Sequence, residues 1–219
     1  MTPTASERER DLLRVAAGDG VRVTLVSDRV AATLSDTVTP QGVVAVVRPD
    51  ASDIDTVLAA DPRLLAVLIG VADPGNAGTV IRTADAVGAD AVILAGGSVD
   101  PHNPKCVRAS AGSLFNLPVV RADSVATVID RMHSRSIRVL ATTLTDALDL
   151  ESPQVQAAFG DAVAWLFGNE AHGVPDDVSA VADLQVRIPI HGRAESLNLA
   201  AAAAICLYAT ARVQRANQP

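Results

Sequence analysis

Aromatic side chains are nearly absent from this 219-residue chain: one Trp, one Tyr and three Phe, 2% of the residues. So few rings argue against a single-stranded RNA binder built on an aromatic stacking platform. They also mean that the core must be assembled from Ala, Val, Leu and Ile. Lysine occurs once, at Lys105, and the other 17 of the 18 cations are arginine. The two cysteines, Cys106 and Cys206, lie far apart and not at a metal-ligand spacing. With no signal peptide visible, the expectation is a cytoplasmic protein with free thiols and no metal. Positive charge is in deficit: 25 acidic against 18 basic residues give a net charge of −7 and a pI near 5.0. A protein that coats nucleic acid with its whole surface is thereby excluded, whereas a local basic face is not. Uncharged apolar runs of about 18 residues are missing except in the Ala-rich stretch after Glu195, which reads as a packed helix and not as a membrane span.

What is present is regular. Residues 2–17 form an amphipathic helical pattern closed by Gly18 and Gly20. Two β-branched runs, 21–26 and 43–47, flank a helical segment at 27–34 with Ser27 as its cap. Residues 49–61, rich in Asp, Pro and Ala, read as a connector with room for one helical turn. From Leu64 onward apolar strands alternate with helices. Strands are expected at 64–70, 91–94, 118–120, 137–141, 162–167 and 184–188, and helices at 77–87, 104–113, 124–133 and 197–215. Continuous apolar strands separated by helices imply an α/β fold with a parallel sheet covered on both faces.

In open α/β sheets, sites form at the carboxyl ends of strands, and three polar, glycine-containing clusters occupy such places. The first is Asp73-Pro74-Gly75-Asn76-Ala77-Gly78, followed by Arg82 about two helical turns on. Asn76 is a candidate helix cap, and Arg82 is either a site residue or a surface arginine on a capped helix. Gly70, Gly75 and Gly78 do not make the dinucleotide fingerprint GxGxxG. The second is Phe167-Gly168-Asn169-Glu170-Ala171-His172-Gly173. Here Gly168 permits close approach to the backbone, Glu170 is a helix-start charge or a site carboxylate, and His172 is a general base or a solvated turn residue. The third runs from Ile188-Pro189 through His191-Gly192-Arg193 to Glu195-Ser196-Leu197-Asn198-Leu199, where Ser196 or Asn198 could cap the Ala-rich helix and its N-terminal amides could take an anionic ligand.

In this order the three clusters resemble the SpoU (TrmH) branch of the SPOUT class of RNA methyltransferases. The resemblance rests on Asn76-x-Gly78-x-x-x-Arg82, on Phe167-Gly168-Asn169-Glu170, and on Ile188-Pro189 with Glu195-Ser196-Leu197-Asn198-Leu199. It covers residues 64–215.

The resemblance implies a parallel-sheet SPOUT domain over 64–219 whose C-terminal segment is threaded into a deep trefoil knot, a rare exception to unknotted topology. It implies S-adenosylmethionine as cofactor, held by the loops 142–147, 168–173 and 188–197, with Thr142, Gly168, Ile188 and Leu197 as cofactor positions. It implies a homodimer formed through the knotted domain, with each site completed across the interface. The reaction would be methyl transfer to a ribose 2′-hydroxyl of RNA, with Asn76, Arg82, Glu170, Ser196 and Asn198 as catalytic residues. His191 departs from the family, where many relatives carry Met before the glycine. Residues 21–48, notably Ser35-Asp36-Thr37-Val38-Thr39-Pro40-Gln41-Gly42-Val43, resemble the end of a small α/β substrate-binding domain. Residues 1–50 are therefore expected to be a truncated remnant of an RNA-recognition domain, with 51–63 as linker. That layout favours ribosomal RNA over tRNA as substrate.

An RNA partner should leave a basic footprint. Residues 105–138 are locally positive (Lys105, Arg108, Arg121, Arg131, Arg135, Arg138), opposed by Asp123 and Asp130, and Arg82, Lys105 and Arg108 are the expected RNA contacts. Two other classes compete with the methyltransferase. One is a non-catalytic, knotted RNA-binding or assembly factor. The other is a different α/β nucleotide-binding enzyme such as a dehydrogenase, which the missing GxGxxG opposes.

Overall fold

The computed structural model describes residues 5–34, 42–48, 52–144 and 146–217. The chain divides into two compact units, Met1–Asp50 and Ala51–Pro219.

The first unit holds helices α1 (Glu7–Gly18) and α2 (Asp28–Thr33). Ser6 and Glu9 close a reciprocal capping box on α1, and the Ser27 hydroxyl accepts from Val30 N at the start of α2. Neither β-branched run is a strand: residues 21–26 and 43–47 belong to no ladder among the described residues. β-propensity reports fitness for a paired, half-buried surface, and most apolar side chains of these runs, Val21, Leu25, Val46 and Val47 among them, stand exposed. The stretch 35–41 lies outside the described residues.

The second unit is built on seven strands: β1 (Leu64–Ile69), β2 (Ala91–Ala95), β3 (Val119–Ala122), β4 (Arg138–Thr142), β5 (Leu148–Asp149), β6 (Val163–Phe167) and β7 (Leu184–Arg187). They form one sheet in the order β3-β2-β1-β6-β4-β7-β5, and every pairing is parallel. Alternate residues of each strand feed two separate cores. Leu64, Ala66 and Leu68 of β1 share one face with Trp165 and Phe167 of β6, whereas Leu65, Val67 and Ile69 face the other with Ala164 and Leu166. Burial on both faces explains why the strands read as unbroken apolar runs.

Helices α3 (Ile54–Ala59) and α6 (Val125–Ser134) cover the second face. Within the stretch read as a connector, α3 sets Val57 and Leu58 into the core. On the first face lie α4 (Pro74–Val87), α5 (Pro104–Ser110) with a short 3-10 turn (Ser113–Phe115), and α7 (Pro153–Ala158). Four-residue α8 (Asp176–Ser179) precedes β7, and α9 (Leu199–Ala216) returns over the first face. The Trp165 indole donates to Thr210 Oγ1 of α9 at 2.9 Å. Gln214 Nε2 donates to the carbonyls of Arg63 and Asp161, each at 2.9 Å, and Arg215 reaches Val87 O at 2.7 Å. The sequence pattern did not reveal β5, α7 or α8, all short.

Gly78 lets α4 and α5 touch: a Cβ there would stand 2.4 Å from Cys106 O and 2.6 Å from Ala109 Cβ. The first turn of α5 is thereby held against the first turns of α4.

Candidate active site

The loops that follow β1, β6 and β7 meet at the carboxyl end of the sheet. Their junction is a directional chain of hydrogen bonds. Asn198 caps α9, its Oδ1 accepting from Ala200 N at 2.9 Å and Ala201 N at 3.4 Å. Its Nδ2 donates to Asn76 Oδ1 at 3.1 Å. Asn76 Nδ2 in turn donates to Glu170 Oε1 at 3.0 Å. A carboxylate can only accept, so Glu170 fixes which way both amides point. The same carboxylate accepts the backbone N–H of Ala72 and of Asp73, each at 3.3 Å. Burial pushes the Glu170 carboxyl up, but the Asn76 amide, its own backbone N–H and those of Ala72 and Asp73 outweigh it. The net result is a pKa below the ordinary glutamate value.

Asn76 is not the cap of α4. That role belongs to Asp73, whose carboxylate accepts from Gly75 N at 2.9 Å, with Pro74 in the first turn. Asp-Pro at a helix start is itself a capping signal, and it leaves the Asn76 amide free for Glu170 and Asn198. Lys105 Nζ lies 2.6 Å from Asp73 Oδ1. The Lys105 hydrogen bond, aided by Gly75 N–H, holds the Asp73 carboxyl below its ordinary value. Asn169, quoted in the motif but given no role, ties the β6 loop to the β1 loop: its Nδ2 donates to Gly70 O at 2.7 Å. His172 is the turn residue of the two alternatives, exposed and 3.3 Å from Asn169 Oδ1.

Three of the five expected catalytic residues, Asn76, Glu170 and Asn198, are thus joined side chain to side chain. Arg82 is exposed on α4, two turns beyond Asn76, and its guanidinium has no hydrogen-bond or salt-bridge partner among the described residues. Ser196 is exposed two residues before the α9 cap and is not bonded to the network.

The four expected cofactor positions fall on adjacent chain segments. Thr142 ends β4, Gly168 follows β6 and Ile188 follows β7, and these three strands are neighbours in the order β6-β4-β7. Thr142 Oγ1 donates to Leu166 O at 2.9 Å. Gly168 is buried so tightly that a Cβ would stand 1.9 Å from the carbonyl carbon of Gly173 and 2.0 Å from Val174 N. Leu197 is 38% exposed. Residues 188–197 make no hydrogen bond to another described residue, which leaves a run of backbone amides and carbonyls open to a ligand. This open loop, beside the ends of β4 and β6, suits a nucleoside cofactor recognised mainly by main chain.

Lys105 and Arg108 sit on α5, both exposed. No group of three or more His, Cys, Asp or Glu able to hold a metal occurs among the described residues. No described helix is long and apolar enough to cross a membrane.

Comparison with known proteins agrees with this geometry. The sequence model of the SpoU rRNA Methylase family matches residues 63–208, and that for RNA 2'-O ribose methyltransferase substrate binding matches residues 2–52. The chain is 35% identical over 189 residues to the 23S rRNA (guanosine(2553)-2'-O)-methyltransferase RlmP of Bacillus subtilis, covering 86% of this chain and 72% of that one. It is 36% identical over 181 residues to a 23S rRNA (uridine(2479)-2'-O)-methyltransferase of Streptomyces viridochromogenes, covering 79% of this chain and 61% of the relative. The crystal structure of the SpoU methyltransferase AviRb from Streptomyces viridochromogenes, in complex with the cofactor AdoMet, superposes with a TM-score of 0.81 at 33% identity. That match covers 99% of this chain and 82% of the other. On sequence, on fold and on the junction of its three motif loops, the chain belongs to the SpoU rRNA methylase family.

Proposed function

We propose that this protein transfers a methyl group from S-adenosylmethionine to a ribose 2′-hydroxyl of 23S ribosomal RNA. The observation that carries the proposal is the hydrogen-bonded chain Asn198–Asn76–Glu170 beside the open loop 188–197. Similarity to 23S rRNA 2'-O-methyltransferases supports the substrate class.

Bound S-adenosylmethionine supplies an electrophilic methyl group. Gly168, Ile188 and Leu197, with Thr142 at the end of β4, would hold the cofactor. A 2′-hydroxyl is a weak nucleophile until its oxygen is polarised and its proton has somewhere to go. Arg82 meets the first need. An arginine stays protonated, so it acts as a fixed cation that neutralises the forming alkoxide and the adjacent phosphate, while the proton leaves to phosphate or water. Asn76 anchors the first turn of α4, the helix that carries Arg82; Glu170 and Asn198 hold Asn76 from both sides, and Ser196 contacts the substrate or the cofactor loop. Arg108, whose guanidinium has no partner among the described residues, binds RNA phosphate; Lys105, the third cation of the expected set, has its ammonium on Asp73.

The C-terminal segment is threaded as a deep trefoil knot. The return of α9 over the sheet supports it. The protein acts as a cytoplasmic homodimer through this domain. The outward stripe of α9, with Ala201, Ile205 at 40% and Tyr208 at 66% exposure, supports that assembly. Residues 1–50 serve substrate recognition, joined through 51–63 to the catalytic domain.

Calorimetric titration with S-adenosylmethionine and S-adenosylhomocysteine is the first test, with one saturable site per chain expected. The loaded protein is then incubated with an unmodified 23S rRNA transcript, and 2′-O-methylation is mapped by resistance to alkaline cleavage. Cofactor binding without transfer to this or any other RNA would favour the non-catalytic, assembly-factor reading instead.

A further inference from the structure

We infer that Lys105 is a positioning residue for the Glu170–Asn76–Asn198 network and not a ligand of RNA phosphate. This rests on the methyltransferase function proposed above.

Two carboxylates converge on the first turn of α4. Asp73 caps the helix through Gly75 N, and Glu170 takes the backbone N–H of Ala72 and of Asp73 itself. The Asp73 peptide therefore carries one negative charge on its side chain and hydrogen-bonds a second through its amide. Like charges so placed repel and favour protonation or withdrawal of one partner. Withdrawal of Glu170 would release Asn76, because Glu170 Oε1 is the acceptor that fixes its amide.

Lys105 Nζ, 2.6 Å from Asp73 Oδ1, supplies the balancing charge. Its place is prepared from both sides. Asn103 caps α5 by accepting from Lys105 N at 2.9 Å, and the lysine stem crosses Gly75, where an added Cβ would lie 3.2 Å from Lys105 Cε. The close backbone contact at Gly78 holds α5 against α4 just beyond.

Some other cations of residues 52–217, Arg121, Arg131, Arg138 and Arg187, are likewise paired to carboxylates, but away from the network. Arg82, Arg108, Arg193 and Arg212 have no side-chain partner among the described residues. They can receive an external phosphate with no internal bond to break. Lys105, the chain's single lysine, is already committed to the carboxylate of Asp73, whose own amide is bonded to Glu170.

The test uses Lys105→Met, which keeps the stem; Lys105→Arg, which restores the charge; and Asp73→Asn, which keeps a capping side chain but removes the ion pair. Each full-length variant is assayed with S-adenosylmethionine and an unmodified 23S rRNA transcript. Single-turnover rates are taken at saturating RNA, and RNA affinity at several salt concentrations. The inference expects Lys105→Met to lose about 10-fold in rate, a loss on the scale of a small misplacement of reacting groups, whereas Asp73→Asn, which removes the charge that Lys105 balances, should keep most of the rate. Adding Asp73→Asn to Lys105→Met should recover most of the lost rate, as should Lys105→Arg; a double variant as slow as Lys105→Met would overturn the charge-balancing role. RNA affinity and its salt dependence should stay within twofold. In hydrogen exchange, the amides of Ala72 and Asp73 should exchange faster in Lys105→Met. Weakened RNA binding with a salt slope reduced by about one and an unchanged saturated rate would make Lys105 a phosphate ligand and overturn the inference. So would an unchanged rate together with unchanged exchange. A wild-type protein that methylates no RNA defeats the methyltransferase proposal instead; the exchange measurement still reports on the clamp.

Discussion

Asn198 donates its amide to Asn76 at 3.1 Å across 122 residues of sequence. This bond joins the cap of the last helix to the first turn of α4, and through Asn76 it reaches Glu170. The proposed site is therefore assembled by three side chains whose polarity is set from one end by helix amides and from the other by a carboxylate. Neither asparagine amide can flip without losing a bond at both its ends.

Replacing Arg82 by Ala should leave S-adenosylmethionine affinity within severalfold, since Arg82 makes no hydrogen bond or ion pair with the described residues of the loops assigned to the cofactor. Methyl transfer should fall by about 100-fold or more, as on removal of one preorganised charge-stabilising group. Calorimetry and single-turnover methylation separate the two effects. Near-normal transfer would remove Arg82 from the chemistry.

Leu197→Asp should abolish cofactor binding. Leu197 is partly exposed at the end of the open loop, and an added carboxylate beside a nucleoside site would stay charged and solvated. Circular dichroism should show an unchanged fold. Affinity equal to wild type would displace the cofactor from this loop.

The pH dependence of stability should expose the Glu170 network. Its folded-state pKa is depressed, so its contribution is fully present above the unfolded value, about 4.3 for glutamate. It is lost as pH falls through the lower folded value. Denaturation of wild type and Glu170→Gln at a series of pH values should show a constant difference above roughly pH 5 that closes only under more acid conditions. A difference that fades between neutral pH and pH 5 would mean that the carboxyl is not held ionised by its donors.

Gly168→Ala should be the most disruptive glycine-to-alanine change among the described residues. The new Cβ would stand 1.9 Å from backbone that cannot rotate away. The cost should exceed about 3 kcal/mol, the upper end of ordinary overpacking. Urea unfolding, or recovery of soluble protein, measures it. A well-folded variant would show that the 168–174 crossing has slack.

The sheet was legible because its strands are buried on both faces. Runs such as Leu64–Ile69 and Val163–Phe167 can be little else when helices lie between them. The β-branched runs at 21–26 and 43–47 are not strands and belong to no ladder among the described residues. The sequence pattern also passed over α7 and α8, too short for periodicity to register. At the site, Asn76, Glu170 and Asn198 stood out because their motifs end strands. What the sequence concealed was the division of labour around α4. Asp73 and Asn76 are both good caps, and only the partners brought by the fold, Lys105 to one and Glu170 to the other, separate their roles. Order along the chain could not show that β4 lies between β6 and β7, which makes neighbours of the three cofactor-loop strands.

The last two turns of α9 carry a consequence for how the chain comes to be folded. Gln214 bridges the carbonyls that precede β1 and β6, and Arg215 closes onto the end of α4. These two side chains fasten segments made much earlier. A nascent chain that lacks them already carries all seven strands of the sheet but not the bonds that tie α9 to the starts of β1 and β6 and to the end of α4. The sheet should therefore be locked only once α9 has been made, and Gln214→Ala combined with Arg215→Ala should prove as damaging as a substitution in the core.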